Sequence, residues 1–158
     1  MGVRIEGYDG MMRYLERGVQ KIVDRFVDDL AALGEKAVTD IREKSQAEGF
    51  RDSTGNLRSS IGFIVVKDGK ILRQGGFERV DGPQRATTSV DGSQVGLSYA
   101  ERLAKNYPKG YALIVVAGMD YAAFLQDVEN KDVLASGELF LNKEVRKLAA
   151  EYNRKYGK

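Results

Sequence analysis

Apolar residues recur every three or four positions along the first third of the chain. Steps of three and four place side chains on one side of an α-helix, so residues 10–48 are predicted to form one long amphipathic helix. Its apolar side contains Leu15, Val19, Ile22, Phe26, Leu30, Leu33, Ala37 and Ile41.

This helix is longer than a domain of 158 residues requires. At a rise of about 1.5 Å per residue it reaches about 50 Å. Gly34 costs about 1 kcal/mol relative to alanine in a helix, which favours a bend or a close packing contact there. Two outcomes are equally open. The helix breaks near Gly34 and packs on its own sheet, or it projects and packs on a neighbouring subunit.

A cluster of turn-forming residues, Asp52–Asn56, follows the helical pattern. Their side chains hydrogen-bond nearby backbone, and Gly55 adopts positive φ at little cost. The apolar run that follows predicts a strand, and Asp68-Gly69 is typical of a type I′ turn. Residues 62–77 are therefore predicted to form a β-hairpin.

The next stretch, residues 78–96, is rich in Gly, Ser, Thr, Asp, Gln and Arg. It is predicted to be a long mobile loop, of a length that is typical of functional or partner-binding segments. Ser98 then follows as the predicted N-cap of a short helix, Tyr99–Lys105, and Glu101 completes a capping box.

Residues 111–117 form the most apolar run of the chain and are predicted to be the central strand. Asp120 can cap a turn after it. Residues 133–156 then predict a C-terminal helix, capped by Asp132 or Ser136. The order of elements predicts one α+β domain over residues 1–158, with a small antiparallel or mixed sheet. The apolar face of the last helix holds Leu141, Val145, Leu148, Tyr152 and Tyr156.

Composition limits the chemistry that this chain can perform. The net charge is +2, so no overall field draws it to nucleic acid or to an anionic membrane. The absence of cysteine and histidine excludes disulfides and thiolate metal sites and removes the commonest general base. No stretch reaches the roughly 18 apolar residues that span a bilayer, so a soluble, intracellular protein is expected.

The sequence gives little support for any candidate catalytic group. Asp28, Asp29 and Asp52 suggest a magnesium site, but helix caps and solvated carboxylates explain them better. Ser59 and Ser60 lack a histidine or an obvious lysine base, which argues against a nucleophile. We therefore expect no catalytic residue, no cofactor and no metal, and a protein that is not an enzyme.

Two short motifs resemble one protein family. The first is Ser53-Thr54-Gly55-Asn56-Leu57-Arg58-Ser59-Ser60-Ile61, and the second is Val116-Ala117-Gly118-Met119-Asp120-Tyr121-Ala122-Ala123-Phe124-Leu125. Together they make the chain similar to the tail-component, or tail-completion, proteins of long-tailed bacteriophages. The first motif matches residue for residue, whereas the second has Leu125 and Gln126 where the family usually has valine and glutamate. The motif residues are Thr54, Gly55, Asn56, Leu57, Arg58, Ser60, Ile61, Tyr121 and Ala122.

The resemblance implies an α+β structural subunit of the head–tail connection, in a ring of identical copies, with other neck or tail proteins as partners. It also implies a place in the virion, and in the bacterial cytoplasm during assembly. Neighbouring ring subunits contact each other through different surfaces, for which the long helix and the polar loop are candidates. The candidate partner-contact residues are Phe77, Arg79 and Arg85.

A nucleic-acid-binding module is the alternative function. It would use a local basic patch, and its affinity would fall steeply with salt. The residues of this patch would be Arg51, Arg58, Arg73, Arg79 and Arg85, together with the basic C-terminus.

Overall fold

The computed structural model describes residues 8–47, 52–84, 88–120 and 134–157. These residues form an α+β fold with a long N-terminal helix, a three-stranded antiparallel sheet and a C-terminal helix, as the sequence predicts. The elements in chain order are α1 (Tyr8–Ala47), α2 (Asn56–Ser59), β1 (Ile61–Lys67), β2 (Lys70–Gly76), α3 (Gly92–Ala104), β3 (Tyr111–Ala117) and α4 (Ala135–Tyr156).

The sheet order is β2-β1-β3, so β1 is the central strand. The prediction that residues 111–117 form the central strand is therefore wrong, because β3 lies at an edge of the described sheet. β1 and β3 are both apolar, so composition could not decide which of them lies at the centre of the sheet. Pairing decides the order, since β1 takes β2 through the hairpin on one side and β3 on the other.

The hairpin between β1 and β2 forms as predicted. Asp68 and Gly69 have φ angles of 50° and 79°, and a type I′ turn requires positive φ at both central positions. Lys67 pairs with Lys70 directly across this turn. A β-bulge lies between Val65 and Val66, which interrupts the pairing with β2.

Helices cover both faces of the sheet. Alternate residues of a strand point to opposite faces, and Phe63 and Val65 pack against α1, whereas Ile64 and Val66 pack against α3. Both faces of β1 are thus buried, which explains why its residues 61–66 are all apolar except for Gly62. α4 lies on the same side as α1, where its half-buried apolar residues join the α1 cluster.

α1 runs without interruption from Tyr8 to Ala47. A break near Gly34 is therefore wrong, and the glycine serves close packing instead. A β-carbon at Gly34 would lie 2.5 Å from the ring of Phe63, which is buried in the core. The helix stays exposed over its first turns, and its predicted apolar side becomes buried only from about Ile22 onward.

The polar connection before α3 is shorter than predicted. α3 begins at Gly92, so residues 92–96 are helical, and its N-cap is Asp91, whose side chain accepts a hydrogen bond from the Ser93 amide at 3.0 Å. Ser98 lies inside α3 and does not cap it. Asp91 is the N-cap instead of Ser98 because its carboxylate accepts a hydrogen bond from a free backbone amide in the first turn of α3.

The start of α4 also differs from the prediction. The helix begins at Ala135 with Leu134 at the N-cap and no side-chain cap, and Ser136 lies within the first turn. Asp132, Tyr121 and Ala122 lie outside the described residues.

Tyr152 joins α4 to α1. Its hydroxyl donates a 2.6 Å hydrogen bond to Asp29 Oδ2, and its ring packs against Phe26 at a centroid distance of 5.0 Å. Burial of the phenol, reinforced by the bond to the Asp29 carboxylate, raises the pKa of Tyr152 to about 12. The protonated hydroxyl is therefore the form that stabilises this contact.

We expect Gly34→Ala to destabilise the protein by about 1–3 kcal/mol, because the new methyl group overlaps a buried ring. This cost exceeds the gain of about 1 kcal/mol in helix propensity. Gly18→Ala is the matched control, since nothing lies within 4 Å of a β-carbon there, and it should stabilise by about 0.5–1 kcal/mol. Urea unfolding measures both, and two changes of equal sign would contradict the packing argument.

The Tyr152 contact predicts a pH dependence. A raised pKa contributes stability that is complete below the unfolded pKa of about 10 and is lost as pH rises toward about 12. Tyr152→Phe should lose about 1 kcal/mol at pH 8, and this difference from wild type should shrink between pH 10 and 12. Urea unfolding of both proteins across this range tests it, and a constant difference would contradict it.

Candidate functional site

The turn between α1 and β1 is a compact polar cluster, which we call the hub and define as residues 52–60. Its first member, Asp52, is buried and accepts hydrogen bonds from the backbone amides of Leu57 and Arg58 at 3.2 and 2.9 Å. The Arg58 side chain also approaches the same carboxylate, with Nε 3.3 Å from Oδ2. Asp52 thus satisfies the free amides of α2 and holds Arg58 in place.

Gly55 allows the backbone of the hub to turn sharply. Its φ is 79°, in the left-handed region that favours glycine. A β-carbon there would lie 1.8 Å from the carbonyl oxygen of Val80, so no side chain fits even if the backbone strain were tolerated. The segment after β2 therefore passes directly over the turn.

Two serines of the hub, Ser59 and Ser60, connect it to other parts of the chain. Ser59 Oγ donates to the Gly55 carbonyl at 2.7 Å and accepts from the Val80 amide at 2.7 Å. Ser60 Oγ donates to the Leu57 carbonyl at 2.8 Å and accepts from the Gly118 amide at 3.1 Å. The hub thus binds the segment after β2 and the end of β3.

Asn56 and Arg42 extend these connections to α3 and α1. Asn56 Oδ1 accepts a hydrogen bond from the Gly92 amide at 3.2 Å, at the first residue of α3. Arg42, on α1, donates to the carbonyls of Arg58 and Ile61 at 3.1 and 2.9 Å. Burial lowers the pKa of the Arg42 guanidinium, and the nearby Glu78 carboxylate opposes this shift.

Sequence reasoning missed two residues of this site, Gly92 and Gly96. A β-carbon at Gly92 would lie 2.1 Å from the Asn56 carbonyl oxygen, and one at Gly96 would lie 2.3 Å from that of Ser60. α3 therefore packs backbone to backbone against the hub. Their spacing of four residues, which places both glycines on one side of a helix, was the available signal.

The polar side chains of the hub position chain segments. Within the described part of the chain, every buried side-chain nitrogen or oxygen has a hydrogen-bond partner. The hydroxyl protons of Ser59 and Ser60 are both donated to backbone carbonyls. A serine nucleophile would instead donate its proton to a base.

The acidic residues that suggested a metal site are held apart by separate partners. Asp28 pairs with Arg73, Asp29 accepts from Tyr152, and Asp52 binds the hub amides. In residues 8–47, 52–84, 88–120 and 134–157 no cluster of three or more possible ligands could hold a metal ion.

The three candidate partner-contact residues have different environments. Phe77 is half-buried and packs against the cluster between the sheet and α3, so it serves the protein's own core. Arg79 is exposed and binds Asp81 at 2.8 Å. Arg85 lies outside the described residues.

The predicted mobile loop is anchored at its first half. Val80 bonds to Ser59, as above, and the Gln84 amide donates to the Ser53 carbonyl at 2.7 Å. The hub supplies these two hydrogen-bond partners, which the sequence pattern did not show, and the mobility of the loop stays a prediction.

The chain matches no protein-family model, no curated protein and no solved structure. Among the described helices, none is both long and apolar enough to cross a bilayer.

We expect Ser59→Ala to destabilise the protein by about 1–3 kcal/mol, because it leaves the amide of half-buried Val80 without its side-chain acceptor. Ser98→Ala is the control, since Ser98 is exposed within α3, and it should change stability by less than about 0.5 kcal/mol. Urea unfolding measures both. Equal effects at the two positions would show that the hub bonds contribute no special stability.

Proposed function

We propose that this chain is a structural subunit of the bacteriophage head–tail connection, a tail-completion protein that acts by packing against neighbouring copies in a ring. The proposal starts from the two motifs of residues 53–61 and 116–125. It is supported by what the first motif does in the fold, since its polar side chains bind chain segments together and are not available for chemistry.

The exposed apolar side of α1 is the observation that carries the proposal. Four large apolar residues in the first turns of α1 are between 51% and 77% exposed. Soluble proteins rarely leave such a contiguous patch uncovered unless it meets a partner. The patch, which we call the α1 patch, consists of Met11, Tyr14, Leu15 and Val19.

A neighbouring copy is the partner that we propose for the α1 patch. Helices of this length gain most of their stability from packing an apolar side rather than from helix propensity. In a ring, the α1 patch of one copy would lie against a different surface of the next copy, as heterologous contacts require. The hub supports such a role because it holds α1 and the sheet in fixed relation, through Arg42.

No specific observation favours the nucleic-acid alternative. Three arginines of its basic patch bind carboxylates in their own fold: Arg58 with Asp52, Arg73 with Asp28, and Arg79 with Asp81. Paired arginines contribute less to phosphate binding, because the carboxylate must first be displaced. Arg51 and Arg85 lie outside the described residues.

Deletion of the gene from the phage or prophage that carries it tests the proposal. We expect DNA-filled heads and separate tails in the lysate, seen by electron microscopy, and at least a hundredfold loss of infectious particles. Wild-type protein supplied from a plasmid should restore joined virions. Joined, infectious particles from the deletion strain would overturn the proposal.

The double variant Leu15→Glu/Val19→Glu tests the α1 patch in the same complementation assay. Both side chains are more than half exposed, at 51% and 60%, so the variant should fold. We expect it to fail to restore joined virions, because two carboxylates would enter an apolar contact. Gln20→Glu/Lys21→Glu, which changes exposed polar residues of the same turns, is the control and should restore them.

A further inference from the structure

On the side of β3 that faces away from β1, no described strand pairs with its backbone groups. The Asp68 amide donates to the Gly110 carbonyl, and the Gly118 amide donates to the Ser60 carbonyl. In an antiparallel pair, hydrogen-bonded and non-bonded positions alternate, so the even-numbered residues of β3 face β1. The amides and carbonyls of Tyr111, Leu113, Val115 and Ala117 therefore point away from β1, where the described part of the chain supplies no strand.

β3 itself lacks the charges, the proline and the bulge that often prevent strand addition at a sheet edge. β3 contains no charged residue and no proline, and its seven pairs with β1 run without a bulge from Ile61↔Ala117 to Lys67↔Tyr111. The opposite edge differs, because β2 contains Lys70 and Arg73 and its pairing is interrupted by a bulge. Charges and bulges protect sheet edges from pairing with another chain. Of the two edges of the described sheet, β3 is therefore the one better suited to pair with another strand.

A groove of about 380 Å³ runs along the middle of this edge. One wall is the centre of β3, and another is the first half of α4. Ile114, the middle residue of β3, and Asn142 of α4 both line it, so the midpoint of β3 and Asn142 lie beside the same groove. One axis at this groove can therefore relate both β3 and α4 to their counterparts in a second copy.

α4 carries a stripe of exposed residues whose charges are self-complementary. Two residues of this stripe, Glu138 and Asn142, line the groove. The stripe is symmetric about Asn142: an acidic residue lies four positions before it and a basic residue four positions after it. Alanines lie seven positions away on each side, and small residues let helices approach closely. The stripe, which we call the α4 stripe, is Ala135, Glu138, Asn142, Arg146 and Ala149.

We propose that two copies of this chain form a two-fold dimer, in which the β3 strands pair antiparallel and the α4 stripes face each other. The two-fold axis places Glu138 of each copy opposite Arg146 of its partner, and the two Asn142 residues face each other on the axis. A two-fold contact is isologous, so one self-complementary surface serves both copies. Pairing joins the two sheets into one of six strands.

The ends of β3 fit the same arrangement. Antiparallel pairing about Ile114 sets residue 109 of one copy opposite residue 119 of the other. Lys109 then lies opposite Met119 of the partner, one residue from Asp120, whereas parallel in-register pairing would set the Lys109 residues of the two copies side by side. Like charges on paired strands destabilise them, which disfavours the parallel arrangement.

The dimer does not depend on the proposed virion function. An isologous contact closes at two copies and cannot build a ring by itself. In the dimer, the β3 edge of each copy is covered by β3 of its partner. The proposed ring contact uses a different surface, the α1 patch. Virion assays and solution assays therefore test the two ideas separately.

Charge exchange on α4 tests the dimer by sedimentation equilibrium, which should give twice the chain mass of 17.5 kDa for wild type. Glu138→Arg and Arg146→Glu each place like charges opposite one another, and each should raise the dissociation constant at least about tenfold. The double variant Glu138→Arg/Arg146→Glu restores opposite charges and should restore dimerisation. A monomeric wild type, a wild type that forms only larger rings, or a double variant as weak as the single ones would overturn the proposal.

A cysteine crosslink tests the position of the axis, since the chain has no cysteine of its own. Asn142→Cys should give a disulfide-linked dimer on mild oxidation, seen on a non-reducing gel. Lys143→Cys is the control, because it is equally exposed but points away from the α4 stripe, and it should stay largely unlinked. Equal crosslinking at both positions, or none at Asn142→Cys, would overturn the two-fold arrangement.

Discussion

The buried hydrogen bonds of the hub are the constraint on which the rest of this structure depends. Backbone groups removed from water cost about 1–3 kcal/mol each when they lack a partner. Asp52, Asn56, Ser59 and Ser60 satisfy such groups in α2, in the segment after β2, at the start of α3 and at the end of β3. Parts of the chain separated by up to 58 residues are thereby fixed around a single turn.

Close backbone packing makes this constraint strict. α3 lies against the hub without intervening side chains, and the segment after β2 passes over Gly55. Arg42 adds α1 through two bonds to backbone carbonyls at the start of β1. A shift of α1, of the start of α3 or of the end of β3 would therefore break hydrogen bonds at the hub.

The fold uses its polar motif internally and presents apolar surfaces externally. A cluster of Asp, Ser and Asn around a glycine turn is also typical of catalytic sites, but here the hydroxyl protons of Ser59 and Ser60 are donated to carbonyls. Outside the hub, the first turns of α1 expose large apolar side chains, and β3 has an unprotected edge within the described sheet. Both features suit a protein that works through contacts with other subunits, as the proposed function requires.

The sequence by itself determined the elements whose signals are local. Periodicity located α1 and α4, and Asp68-Gly69 located the hairpin, because side-chain spacing and positive φ are properties of a few neighbouring residues. Only the tertiary structure decided which strand is central, since β1 and β3 are both apolar and differ in what pairs with them. It also decided that Gly34 makes a close packing contact instead of breaking α1, and that Gly92 and Gly96 lie in a helix instead of the predicted loop. The atoms that these glycines approach come from distant parts of the chain.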